Sequence, residues 1–158
     1  MESNGILIKP VGGRAPFQTK IHGILEADTA DRPDFGTIYS SVAYLFELPL
    51  VGHSMFDKPV LNALSDHFDL RIRFDYTDSV SVAKQKLPNL KNHKLKTVAK
   101  HFQLPTFKHH DATEDAKACA EIFVCLQGAS APKPQSICHE FESLATAILD
   151  DERVDYKS

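Results

Sequence analysis

The sequence has no long apolar run. Hydrophobic residues make up 42% of the 158-residue chain, yet no stretch approaches the roughly 20 consecutive apolar residues of a membrane-spanning helix. The N-terminal apolar stretch, Ile6-Leu7-Ile8, ends at Lys9-Pro10 and is too short for a secretory signal peptide. We therefore expect a cytoplasmic protein that has no membrane partner and has enough apolar residues for a packed core.

Cysteine is scarce, and the three cysteines have no spacing typical of a metal site. Cys119 falls on an apolar helical stripe, so we interpret it as a small core residue. Cys125 and Cys138 follow without a metal-ligand pattern. This usage fits a reduced, intracellular compartment.

Acidic residues are missing from one long segment. The chain carries a net charge of −3, but there is no Asp or Glu from Ser79 to His110, a stretch that we call the basic segment. Its lysines are Lys84, Lys86, Lys91, Lys94, Lys96, Lys100 and Lys108. Such a segment can face the phosphates of a nucleic acid, which makes Lys91 and Lys94 candidate substrate-binding residues. The alternative is a solvated lysine face.

The periodicity of apolar residues predicts alternating strands and helices, and hence a single α/β domain. We expect a domain over residues 1–127, a linker over 128–136, and a C-terminal helix with an acidic tail over 137–158. The predicted strands are Gly5–Val11, Leu50–Gly52 and Leu70–Tyr76, with a loop-rich connection over Pro16–Gly36. The predicted helices are Phe35–Leu48, Asp57–Phe68, Asp78–Lys86, Leu95–Phe102 and one that follows His110.

Two residues near the start of the last of these helices are candidates for chemistry. Asp115 borders an apolar stripe through Ala112 and Cys119, where a carboxylate needs a partner such as a metal ion. The alternative is an acid that complements the helix dipole. His110 precedes Asp115 by five residues and can accept a proton from water near neutral pH. Alternatively, it is a surface histidine.

Asp57 is a third candidate because it follows the short strand at Leu50, and α/β folds place sites where a strand leads into a helix. Two capping roles are also open. Ser54-x-x-Asp57 matches a capping box, and Asp57 could itself be the N-cap ahead of Pro59.

Taken in order, these motifs resemble the DEDDh group of 3′–5′ exonucleases, which includes the proofreading epsilon subunit of bacterial DNA polymerase and ribonuclease T. The resemblance covers roughly Ile6 to Leu126. Val51-Gly52-His53-Ser54-Met55-Phe56-Asp57 is similar to the second motif of that group, and His110 and Asp115 match its third motif, His-x4-Asp. Ile21-His22-Gly23-Ile24 is similar to its substrate-side loop.

The resemblance implies a ribonuclease H-like fold and two Mg²⁺ or Mn²⁺ ions held by four carboxylates. In that arrangement the ions activate water and neutralise the scissile phosphate. Asp57 and Asp115 would be metal ligands and His110 the general base. His22, His53 and Phe56 would lie near the 3′ nucleotide of a DNA or RNA strand.

The chain departs from the group at its first motif, an Asp-x-Glu on the first strand. Only Glu2 is acidic upstream of Ile6. This departure predicts weak or no activity and an exposed sheet edge, which a homodimer or a partner chain could cover. Alternatively, Asp150-Asp151-Glu152 could supply acids from the other end of the chain.

Three hypotheses about function follow: an impaired exonuclease, a non-catalytic nucleic-acid- or protein-binding module derived from one, or an active enzyme whose N-terminal segment is absent from this chain. The DNA upstream of the Met1 codon would distinguish the last two. An in-frame Asp-x-Glu strand would favour the missing segment, and a stop codon the binding module.

Overall fold

The computed structural model of the protein describes residues 5–12 and 16–128. Within these ranges a small parallel sheet lies among helices, which confirms the predicted α/β class. The helices are α1 (Pro16–His22), α2 (Phe35–Val42), α3 (Asp57–His67), α4 (Ser79–Lys86), α5 (Leu95–His101) and α6 (Ala112–Leu126), with a 3-10 helix at Ala43–Glu47. The strands are β1 (Leu50–Gly52) and β2 (Tyr76–Asp78). No helix in the described ranges is long and apolar enough to cross a membrane.

The two strands pair in parallel, and α3 connects them. Leu50 lies opposite Tyr76, and Gly52 lies opposite Asp78. The predicted strand at Leu50 therefore pairs with the end of the predicted strand that runs to Tyr76. Because parallel strands end at the same edge of a sheet, the residues after Gly52 and after Asp78 emerge side by side.

Side-chain caps fix where two helices of the site begin. Asp78 accepts hydrogen bonds from the backbone N–H groups of Val80 and Ser81, which confirms the predicted cap of α4. Asp111 accepts from the N–H groups of Thr113 and Glu114 at the start of α6. An aspartate at this position satisfies N–H groups that have no partner within the helix.

The hydrophobic core lies between α4, α5 and α6, against β1. Ile122 and Val98 are fully buried, and the predicted core position Cys119 is 5% exposed. The buried core residues are Ala83, Leu95, Val98, Ala99, Ala118, Cys119, Ile122 and Leu126. This packing fixes α6 relative to β1, and with it the side chains at the start of α6.

The N-terminal part of the chain differs from the sequence prediction. Gly5–Val11 forms no strand; only Lys9 pairs, in an isolated bridge with Asp34. Pro10 lacks the N–H that would continue a ladder. The segment predicted as a loop from Pro16 contains helix α1, whose first residue is that proline, a position that proline favours.

Two further element predictions need correction. The predicted helix Phe35–Leu48 is α-helical only to Val42 and continues as the 3-10 helix. The predicted strand Leu70–Tyr76 pairs only from Tyr76 onward, because Asp69 and Arg71 have left-handed backbone angles (φ 48° and 53°) that interrupt an extended strand. The alternation nevertheless appears as burial, with Leu70, Ile72, Phe74 and Tyr76 half-buried and the residues between them exposed.

The predicted linker and C-terminal helix lie outside the described residues, apart from Gly128 at the boundary. The same holds for Asp150-Asp151-Glu152 and for Cys138. The domain boundaries at 127/128 and 136/137 stay predictions.

Candidate active site

An open cleft of about 870 Å³ lies at the carboxyl end of β1, where Gly52 leads into His53. The starts of α3, α5 and α6 and part of α4 form its other walls. Among the described residues that line it, Asp57 and Asp115 are the only carboxylates. The two acids that the motifs predict as partners therefore share one cleft.

Asp57 is the first residue of α3, and its carboxylate lies within hydrogen-bond distance of Tyr76 on β2. The hydroxyl of Tyr76 lies 2.5 Å from the carbonyl oxygen of Ser54 and 3.2 Å from Asp57 Oδ2, so it can donate toward either acceptor. Burial raises the pKa of Tyr76 well above its usual value, and the negative charge of Asp57 raises it further, so the hydroxyl stays protonated and can donate. Gly52 makes this possible because a Cβ there would lie 1.8 Å from the Tyr76 hydroxyl oxygen.

Neither capping role considered for this segment is adopted. The N-cap of α3 is Phe56, which makes no side-chain capping bond. Ser54 Oγ instead accepts the N–H of Phe56 at 3.1 Å. The Asp57 carboxylate is therefore not used in capping the helix, and it is exposed at the cleft.

Asp115 lies in the first turn of α6, and both of its carboxylate oxygens have nitrogen partners. Oδ1 is 2.9 Å from His109 Nδ1, and Oδ2 accepts the backbone N–H of His110 at 3.1 Å. The side chains of His109 and Asp115 are 30% and 28% exposed. The turn before α6 thus fixes the orientation of this half-buried carboxylate.

His110 presents an exposed imidazole ring at the cleft. Its backbone is left-handed, with φ 71°. Its ring stacks on that of His109, with centroids 4.0 Å apart and planes at 27°. His109 also packs edge-on against Phe107. The ring of His110 is consequently supported on one side and accessible to water, as a general base requires.

His53 joins β1 to the segment before α5 through both ring nitrogens. Nδ1 is 2.8 Å from Ser79 Oγ, and Nε2 donates to the carbonyl oxygen of His93 at 2.9 Å. Ser79 is fully buried and also contacts the carbonyl oxygen of Gly52 at 3.0 Å. Burial lowers the pKa of His53, which favours a neutral ring.

Burial likewise raises the pKa of the Cys119 thiol beside Ser79, so that thiol stays protonated.

Comparison with known proteins identifies the family of this chain. The RNase_T family model, described as "Exonuclease", matches residues 3–123. The chain belongs to this exonuclease family. The resemblance inferred from the second and third motifs is therefore confirmed.

The relatives of this exonuclease-family chain include much larger proteins. It is 30% identical over 143 residues to a DNA polymerase III PolC-type of Caldanaerobacter subterraneus subsp. tengcongensis, covering 89% of this chain and 10% of that protein. It is 28% identical over 148 residues to a DNA polymerase III PolC-type of Streptococcus mutans, covering 91% of this chain and 10% of the other. A shorter match, 49% identical over 45 residues, is to the PolC-type polymerase of Clostridium perfringens. The chain thus spans about a tenth of the length of the two relatives that it matches along most of its length.

The cleft of the exonuclease-family chain contains some of the predicted substrate-binding residues and not others. His53 and Lys94 line it, together with Ile21 from α1. His22, Phe56 and Lys91 lie outside the lining. The ring of His22 accepts the N–H of Ile24 at 3.0 Å, and Phe56 is 73% exposed.

The sequence assigned no individual role to three residues of this site. His109 holds Asp115, and His93 provides the carbonyl oxygen that fixes His53. Lys84 of α4, which the sequence placed only within the basic segment, lines the cleft. Helical spacing shows where α4 and α6 begin, but it does not show which of two adjacent histidines faces the carboxylate.

A possible metal-binding group lies on one wall of the cleft. One ligand atom from each of His109, His110 and Asp115 lies within 4.8 Å of the others. Asp57 is not part of this group. Hard divalent cations are held by carboxylates together with water and substrate phosphates, and Asp57 and Asp115 are the carboxylates that the described part of the cleft offers to such an ion.

Proposed function

We propose that this chain is a 3′–5′ exonuclease domain that hydrolyses phosphodiester bonds at nucleic-acid 3′ ends, with a ribonuclease H-like fold. The observation that carries the proposal is that Asp57, His110 and Asp115, which the second and third motifs supply, all line one open cleft. The family assignment supports the same chemistry.

Five residues of the cleft have assigned roles in this proposal. Asp57 and Asp115 would hold a divalent cation, Mg²⁺ or Mn²⁺, which when bound activates water and neutralises the scissile phosphate. His110 takes the proton from the attacking water, since its ring is exposed at the cleft. Lys84 and Lys94 bind phosphates of the strand.

DNA is the proposed substrate in preference to RNA, because the relatives are named DNA polymerases. The cleft is open, which suits a strand end that enters from solvent. Equal cleavage of matched DNA and RNA oligonucleotides would remove this preference.

The activity of the chain by itself is proposed to be weak. Only two carboxylates line the cleft among the described residues, and both oxygens of Asp115 already accept hydrogen bonds. Partial dehydration of Mg²⁺ is costly, and few oxygen ligands are present to offset that cost.

The test is digestion of a 5′-labelled single-stranded oligonucleotide in Mg²⁺ and in Mn²⁺, resolved as a ladder. We expect slow shortening from the 3′ end that stops with EDTA and in Asp115→Asn. Glu114→Gln is the matched control, because Glu114 neighbours Asp115 on α6 but lies outside the cleft. Shortening that survives Asp115→Asn, or that is lost equally in Glu114→Gln, would contradict the proposal.

A non-catalytic nucleic-acid-binding module is the second candidate. It is favoured by the same scarcity of carboxylates, combined with a basic segment that contributes Lys84 and Lys94 to the cleft. Salt-sensitive binding of the oligonucleotide without any metal-dependent shortening would establish this candidate over the first.

A further inference from the structure

The cleft has a nitrogen-rich wall that the proposed hydrolysis does not fully use. That proposal gives His109 no contact with substrate and uses His110 only as a base. Yet the ligand atoms of His109, His110 and Asp115 form a group within 4.8 Å. Two imidazoles and one carboxylate are a donor set typical of transition-metal sites.

Two of the three ligand atoms lie near the spacing that a coordinated ion requires. His109 Nδ1 and Asp115 Oδ1 are 2.9 Å apart, near the separation of roughly 3.3 Å expected for two ligands of a tetrahedral ion with bonds of about 2.0 Å. The ligand atom of His110 lies within 4.8 Å of the other two, and binding of the same ion requires the exposed ring to turn from its stack on His109. In the structure Nδ1 of His109 donates to the carboxylate, so Zn²⁺ replaces that hydrogen bond and binds the tautomer that has its proton on Nε2 and a lone pair on Nδ1.

The surrounding contacts hold two of the three ligands in place. The backbone N–H of His110 donates to Asp115 Oδ2, leaving Oδ1 on the side of His109. Phe107 packs against the His109 ring at 6.2 Å between centroids. Contacts of this kind orient metal ligands and strengthen binding.

We infer that His109, His110 and Asp115 form a Zn²⁺ site, which shares Asp115 with the proposed Mg²⁺ site but differs from it in the other ligands. Imidazole nitrogen suits Zn²⁺, whereas Mg²⁺ takes oxygen ligands. Three protein ligands leave a further position open for water or a phosphate oxygen. Zn²⁺ at this site occupies both Asp115 and His110, so it inhibits the hydrolysis; that consequence rests on the proposed function, whereas the binding does not.

The binding test uses the full chain without a histidine tag and Zn²⁺ alone, in competition with a chromophoric chelator. We expect one Zn²⁺ per chain, with an affinity that falls at least about tenfold in His109→Ala and in Asp115→Ala. His101→Ala is the matched control, because His101 is an exposed histidine at the end of α5 that lies outside the cleft. It should bind as the wild type does. Circular dichroism checks that each variant is folded.

Replacement of Zn²⁺ by Co²⁺ identifies the ligands. A site made of histidine and carboxylate gives no thiolate-to-cobalt charge-transfer band, whereas binding at the cysteines gives a strong one. The inference is overturned if the wild type binds no Zn²⁺, if His109→Ala binds as tightly as the wild type, or if the cobalt spectrum shows thiolate.

Inhibition is measured separately and does not decide the binding result. If the chain shortens DNA in Mg²⁺, Zn²⁺ should inhibit it in proportion to occupancy of the site. If the chain shows no hydrolysis, the proposed function fails while the zinc titration still tests the site.

Discussion

Neutralising two lysines at the cleft should change how salt weakens nucleic-acid binding. Lys84 projects from α4 and Lys94 precedes α5, and both line the cleft, whereas Lys91 from the same basic segment does not. A lysine that contacts a phosphate displaces a condensed counterion, so its removal lowers the salt dependence of binding. The double variant Lys84→Gln, Lys94→Gln isolates the two cleft lysines.

The magnitude follows from the number of lysines removed. Each neutralised phosphate contributes about 0.7 to the slope of log affinity against log salt for a single strand, so two contribute about 1.4. Between about 50 mM and about 200 mM salt, the wild type should therefore lose about sevenfold more affinity than the double variant.

Fluorescence anisotropy of a 5′-labelled oligonucleotide in EDTA measures this difference without hydrolysis. The matched control is Lys91→Gln, Lys96→Gln, which removes the same charge from exposed lysines of the basic segment outside the cleft. If the control lowers the slope as much as the cleft variant does, the strand does not follow the cleft. If neither variant changes it, the basic segment is a solvated lysine face.

Two other predictions concern the structural support of the site. Gly52→Ala should destabilise the fold by about 1–3 kcal/mol through overpacking against the Tyr76 hydroxyl. Chemical denaturation should show that the double variant Gly52→Ala, Tyr76→Phe loses less unfolding free energy than the two single variants lose in sum. Strict additivity of the two losses would refute the clash. Burial lowers the pKa of His53 below 6.5 in the folded chain. As the pH falls, His53 therefore binds a proton more readily in the unfolded chain than in the folded one, and the free energy of unfolding should decrease below pH 6.5. Thermal unfolding should show that the melting temperature of His53→Gln depends less on pH than that of the wild type. An unchanged pH dependence would mean that other groups cause the loss of stability.

The main elements of the site could be predicted from the sequence because each has a local cause. Pro49 followed by an apolar triplet predicts β1, and Asp78 predicts the start of α4 by its capping ability. The spacing of His110 and Asp115 places one before α6 and the other in its first turn. These features depend on residues close together in the chain, so a pattern can show them.

The remaining features depend on backbone angles and on contacts between distant residues. The left-handed backbone at Arg71 interrupts the extended segment that the alternation of apolar residues predicted, and the strand begins only at Tyr76. Tyr76 reaches Asp57 across 19 residues, and Gly52 is required only because that hydroxyl lies above it. No short pattern contains such information, since the interacting groups are brought together only by the parallel pairing of β1 and β2.

The position of Asp115 links the two kinds of chemistry that the cleft offers. On one side Asp57 provides oxygen, which suits a hard cation together with the phosphates of a bound strand. On the other side His109 and His110 provide nitrogen, which suits Zn²⁺. Asp115 is shared, with Oδ1 beside His109 and both oxygens already held by nitrogen donors. Loss of Asp57 should therefore weaken binding of the hard cation while leaving the three ligands of the nitrogen-rich site in place. If the chain has the proposed activity, the balance between hydrolysis and inhibition by Zn²⁺ then depends on how well Asp57 and Asp115 together hold the hard cation.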